Sequence, residues 1–175
     1  GAAAVRRAHA VFAFGWGPVA EKDVPSSRRM FGPDGKVFAT RYTACQDEKM
    51  RALPTGVIDP LLRSLTFYGS NDPLAVMTFY ATHPQSYYRT GGANPDFPGM
   101  ARNSRQAETT VFHLHFNGAG VNIGAGKFND GSTANRRVLA DKVAAGMREA
   151  YANQKKQDAA KLAFDWQALP VAIPL

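Results

Sequence analysis

Histidines and a glycine-rich segment are the parts of this sequence best suited to chemistry. His83 follows a run of apolar and β-branched residues, is conformationally restricted by Pro84, and leads into Gln85, Ser86, Tyr87 and Tyr88. That places an imidazole at the end of a predicted strand, where open α/β sheets carry their ligand sites. There a neutral ring can bind a metal or accept a proton, and the same position also suits a purely structural histidine. His113 and His115 stand two apart on a predicted strand, so both side chains face one side. Such a pair can chelate zinc if a further ligand joins it, or can simply pack. The third feature is the stretch from Asn117 to Gly126, with four glycines in ten residues. It satisfies neither the Walker pattern, since Val121 stands where its first glycine belongs, nor the dinucleotide fingerprint, since Ile123 stands at the third glycine. Asn117, Gly120, Asn122 and Gly124 could still bring backbone N–H groups and amide side chains to a substrate oxyanion. The alternative is a tight crossover packed on its neighbours. The carboxylates offer no acid–base pair: Asp59, Asp96, Glu108 and Asp130 are separate, and Asp96 reads as a helix cap.

These residues need a scaffold, and the pattern around them is α/β: a mixed sheet with flanking helices. Strands are expected over 62–68 and 74–82, joined antiparallel by the hairpin-type loop at 69–73. The second is apolar on both faces, as a strand buried inside a sheet would be. A helix is expected over 96–108, with Pro98 tolerated in its first turn, and a third strand over 109–116 carries both histidines. The clearest helix runs from Thr133 to about Lys155, with Ser132 or Thr133 as cap and Leu139, Val143 and Met147 on one stripe. Before residue 60, a short strand at 11–14 is followed by frequent Gly and Pro, with a turn at Pro33-Asp34-Gly35. An irregular stretch of that length usually covers a site or another part of the fold.

Composition narrows the classes further. The 175 residues are 45% hydrophobic and 11% aromatic, enough to build a core. The longest apolar run, from Val11 to Ala20, is broken by Gly and Pro and is about half the length a membrane span needs. Cys45 is the only cysteine, which excludes a disulfide scaffold. Twenty-one basic and 14 acidic residues give a net charge of +7, but the basic residues fall in separated pairs such as Arg28-Arg29 and Lys155-Lys156. That spacing speaks for a solvated surface and against nucleic acid as partner. The start at Gly1 and the apolar end read as cuts in a longer protein.

Ser27-Arg28-Arg29-Met30 with Pro33-Asp34-Gly35-Lys36-Val37, Gly56-Val57-Ile58-Asp59-Pro60, Phe79-Tyr80-Ala81-Thr82-His83-Pro84, Pro95-Asp96-Phe97-Pro98-Gly99, and Phe116 to Ile123, in this order, resemble the middle of the neutral/alkaline ceramidase family. The resemblance covers about residues 25–150 and makes the chain, 1–175, an incomplete portion of a larger catalytic domain. It implies a secreted, periplasmic or extracellular zinc amidohydrolase that cleaves the N-acyl bond of a lipid or other small-molecule amide, with a membrane surface as one place to meet it. It also implies His83 as a metal ligand, the family's other ligands lying in an upstream His-Thr-His-Ser-Gly-Pro-like motif and downstream. Asn117, Gly120, Asn122 and Gly124 fall in the family's Gly-Asp-Val-Ser-Pro-Asn region, but no Ser occurs there in this sequence. A same-fold hydrolase with a different ester or amide substrate, and a non-catalytic binding module, are the alternatives.

Overall fold

The structure is a computed structural model that describes residues 13–20, 23–69, 72–87, 91–163 and 165–172. Strand β1 (Ala13–Ala20), β5 (Leu61–Tyr68), β6 (Pro73–Tyr80), β7 (Phe112–Asn117) and β9 (Lys155–Asp158) form a five-stranded sheet in the order β7-β6-β5-β1-β9. The β5–β6 hairpin is antiparallel, as the sequence predicts, and β7 joins β6 in parallel after a crossover. The expected strand at 11–14 is longer than its pattern suggests, and residues 11 and 12 lie outside the described residues.

Helices α2 (Asp96–Thr109) and α3 (Thr133–Ala152) pack on one another and on the inner face of the sheet. Leu139, Val143, Met147 and Ala150 of α3 are buried, joining Leu62, Tyr80 and Phe97 in the core. Ser132 caps α3, its hydroxyl accepting from the Asn135 N–H at 3.2 Å. The close fit of α3 to the sheet depends on the small residues of β1: a Cβ added to Gly17 would overlap the Ala150 carbonyl. Gln154 then closes the polar row beneath the helix end. Its Nε2 donates to Ser64 Oγ at 3.1 Å and Thr66 Oγ1 at 2.6 Å, while Tyr68 donates its hydroxyl proton to Gln154 Oε1 at 2.9 Å. Buried hydroxyls are thus satisfied without a charge.

The structure corrects four expectations. Strand β6 is central in the sheet but alternates between buried Val76, Thr78 and Tyr80 and partly exposed Ala75, Met77 and Phe79. Its opposite face is apolar because much of the outer face is, with Trp16, Leu65, Met77 and Leu114 in one row across the strands and Phe79 and Phe116 stacked at 5.4 Å. The third strand starts at Phe112 rather than 109, because Thr109 ends α2 and Thr110 turns out of it with a left-handed φ of 59°. Asp96 opens α2 at φ 50° instead of capping it; Pro95 holds the cap position. The last helix stops at Ala152, and the chain from Lys155 pairs with β1 as an edge strand.

The irregular first third contains short elements: β2 (Ser26–Ser27), β3 (Arg29–Phe31), β4 (Val37–Thr40) and α1 (Glu48–Ala52). The Pro33-Asp34-Gly35 turn forms as predicted, with Gly35 at φ 73°. Arg41, fully buried, organises the rest. Its guanidinium donates to the carbonyls of Ser27, Met50, Leu53 and Pro54 at 3.0–3.3 Å, and burial lowers its pKa. The glycine-rich segment is not wholly irregular either, since β8 (Ile123–Gly124) pairs with β2.

Candidate functional site

Beyond Tyr80 the chain leaves the sheet, and the glycine loop folds back over it. The Gly118 N–H donates to the Tyr80 carbonyl at 2.8 Å, and the His83 N–H to the Ile123 carbonyl at 3.2 Å. Gly118 lies against Ala81 and Gly120 against Thr82, both of which are buried. The His83 ring is half-buried and has no hydrogen-bond partner among the described residues. The sequence's two strongest candidates, the strand-end histidine and the glycine loop, therefore meet. Asp96 fixes the far side of the same turn: its carboxylate accepts from Ser86 N–H (3.1 Å), Ser86 Oγ–H (2.5 Å), Tyr87 N–H (3.0 Å) and Phe97 N–H (2.7 Å).

The loop's candidates divide between two sides. Asn122 is committed to the Ser27–Arg29 segment: its Nδ2 donates to Ser27 Oγ at 2.7 Å, its Oδ1 accepts from Arg29 N–H at 3.2 Å, and its carbonyl accepts from Arg28 N–H at 2.7 Å. Gly124 lies in β8, with its carbonyl accepting from Ser26 Oγ at 3.0 Å. Asn122 borders an apolar cavity of about 290 Å³, which Met30, Phe31, Phe38, Leu53 and Val57 line together with Ser27 and Arg29. Asn117 faces elsewhere. It ends β7, has no side-chain partner among the described residues, and lines a second cavity of about 350 Å³ with Pro84, Pro95, Pro98, Gly99, Arg102, Leu114 and His115. Gly120 sits buried between the two sides.

His113 and His115 do share a face, and both lean on threonines. Thr109 Oγ1 donates to the Arg105 carbonyl and so presents a lone pair to His113 Nε2 at 3.0 Å. Thr78 Oγ1 donates to the Leu114 carbonyl and does the same for His115 Nδ1 at 2.9 Å. Each ring therefore carries its proton on the nitrogen facing threonine and leaves the other bare and buried. Burial, reinforced by the Arg102 charge, lowers the pKa of His115 to about 4, and burial also lowers that of His113, so both are neutral near pH 7. Among the described residues no three His, Cys, Asp or Glu side chains gather to hold a metal. A catalytic zinc takes about three protein ligands, so His83 fits as one donor of such a site and the described residues do not complete it.

Sequence reasoning missed Arg41, Ser27 and Arg102. Ser27 enters the sequence reading only within the Ser27-Arg28-Arg29-Met30 segment, and its partner Asn122 is 95 residues away, while Arg41 and Arg102 lie in no recognisable motif.

No family model and no curated protein matches the chain. Among solved structures it is similar to a ceramidase complexed with C2 and to the neutral ceramidase from Pseudomonas aeruginosa. Each superposes with a TM-score of 0.57 at 13% identity, over 82% of this chain and 23% of the other. The chain thus spans less than a quarter of the length of those proteins, and within that span it has a ceramidase-like fold.

Proposed function

We propose that this chain is part of a ceramidase-like hydrolase that cleaves an N-acyl amide, with His83 as one ligand of a catalytic zinc whose other ligands lie outside the described residues. The observation that carries the reading is the convergence of the His83 imidazole, without a partner among the described residues, and the Gly118–Gly120 loop at the end of β6, in a fold shared with ceramidases. When bound, zinc would supply the Lewis acidity that makes water nucleophilic near neutral pH. The chain's own residues orient and stabilise. The bond from the His83 N–H to Ile123, together with Pro84, fixes where the ring points. The loop's own hydrogen bonds use the N–H groups of Gly118 and Ile123, and buried Gly120, packed on Thr82, lets the loop lie close to the strand end where the oxyanion forms at the amide carbonyl. Asn122 holds the loop in place through Ser27 and Arg29, and the apolar cavity beside it suits the substrate's acyl chain.

The test uses the native gene product. Turnover of short N-acyl amides should be abolished by chelator, and His83→Ala should remove bound zinc and lower kcat/KM by about 100-fold or more without unfolding the protein. Turnover indifferent to both would overturn the reading. The absence of a Ser from the glycine loop favours a second substrate class, an ester or an N-acyl compound other than ceramide, and the same assay with ester and ceramide arms ranks these.

A further inference from the structure

The cavity formed by the first turns of α2, the end of β7 and Pro84 carries a positive charge that no described residue neutralises. Arg102 lines it half-buried, and no hydrogen bond or ion pair to its guanidinium exists among the described residues. The acids of the same helix are engaged elsewhere. Glu108 pairs with Arg105 and Arg148, and Asp96 is surrounded by its four donors from Ser86, Tyr87 and Phe97. The remaining polar groups of the cavity are Asn117, with its amide free, and His115, whose Nε2 bears a lone pair and no partner. Pro84, Pro95, Pro98 and Leu114 make the walls apolar, which strengthens the field of an unpaired guanidinium. Pro84 is covalently next to His83, so the cavity adjoins the proposed reaction centre.

We propose that this cavity binds a carboxylate on the amine side of the substrate, making the enzyme's substrates N-acyl compounds of anionic amines rather than uncharged N-acyl lipids. This rests on the hydrolase reading of His83 and names its substrate class. A planar carboxylate matches the guanidinium fork in two parallel hydrogen bonds, whereas an uncharged headgroup leaves the half-buried cation without a counter-charge. The Asn117 amide is placed to donate to the same carboxylate or accept from the amide N–H. In the reaction the oxygen of water bonds to the acyl carbon and the C–N bond breaks. One water proton goes to the departing nitrogen, and the new acid gives up its proton to that amine, so the products are an acyl carboxylate and an ammonium acid.

N-acetylglycine and its uncharged counterpart N-acetylglycinamide separate the possibilities by binding alone. Calorimetry on the native protein should show N-acetylglycine binding at least about tenfold tighter than the amide. It should also shift the His115 imidazole signals in NMR, and Arg102→Gln should remove that advantage while circular dichroism stays unchanged; Arg102→Lys should restore part of it. Equal binding of the two compounds, no binding of either, or an advantage surviving Arg102→Gln overturns the proposal. Hydrolysis is scored separately. Charge-dependent binding without turnover leaves the carboxylate site standing and removes the hydrolase reading, whereas ceramide turnover insensitive to Arg102→Gln removes the carboxylate site and leaves the hydrolase.

Discussion

His115 and His113 present one nitrogen to a threonine and bury the other, an arrangement that ties proton uptake to unfolding. In the folded chain the pKa of His115 falls to about 4, while an unfolded histidine keeps about 6.5. The unfolded state therefore takes up the proton first as the pH drops. The stability contribution is whole above pH 6.5 and drains between 6.5 and 4, by at most about 3 kcal/mol. Urea denaturation at pH 7 and 4.5 should show a larger loss for the native protein than for His115→Gln; equal losses would mean that the ring is not the group titrating. Asp96 acts through hydrogen bonds. Asp96→Ala strips the acceptor from buried donors of Ser86 and Phe97 and from the Tyr87 N–H, and should cost about 3 kcal/mol in the same assay, with Asp96→Asn losing less because Asn tolerates the positive φ and keeps one acceptor. The sequence marked Asp96 as a cap. Its larger role, tying the turn after His83 to α2, depends on a fold-back of ten residues that no local pattern encodes.

At the scale of elements, the contact between β1 and α3 is a close fit. Gly17 lets the helix backbone approach the strand, so Gly17→Ala should destabilise by about 2 kcal/mol or more through overlap with the Ala150 carbonyl, read as a lowered denaturation midpoint. Gln154→Leu should cost a similar amount, about 2 kcal/mol, because Ser64, Thr66 and Tyr68 lose their shared partner beneath the helix end. Element type was legible where periodicity was strong, as in α3 and the β5–β6 hairpin. Boundaries slipped where a single residue decided them. Thr110 ends α2 by adopting a left-handed conformation that nothing in its type requires, and β9 exists only because β1 lies alongside to pair with it.

Across the whole molecule the sheet is two-faced. The inner face is covered by α2 and α3, while Trp16, Phe112 and Phe116 of the outer face are roughly half exposed. Replacing Leu65 and Met77 with Lys should therefore leave the Tm within a few degrees and reduce binding of an apolar dye such as ANS. A collapse of the fold in that double variant would show instead that the outer face is packed. The same apolar pattern explains why β6 reads as buried on both sides: a sequence records which side chains are apolar, and burial follows only from what lies against them.

What the sequence by itself determined is local. Alternation and helical stripes set the mixed α/β elements, the Pro33-Asp34-Gly35 turn followed from intrinsic backbone preference, and His83 fell at a strand end. The ordered motifs pointed to a ceramidase-like fold before any superposition. Tertiary structure decided which groups meet. It turned Asn122 toward Ser27 and Arg29, left Asn117 facing Arg102 and His115 across a cavity, and buried Arg41 among four carbonyls. The first of these joins segments more than 90 residues apart, and a contact formed by chain folding leaves no signature in the spacing of the residues that make it.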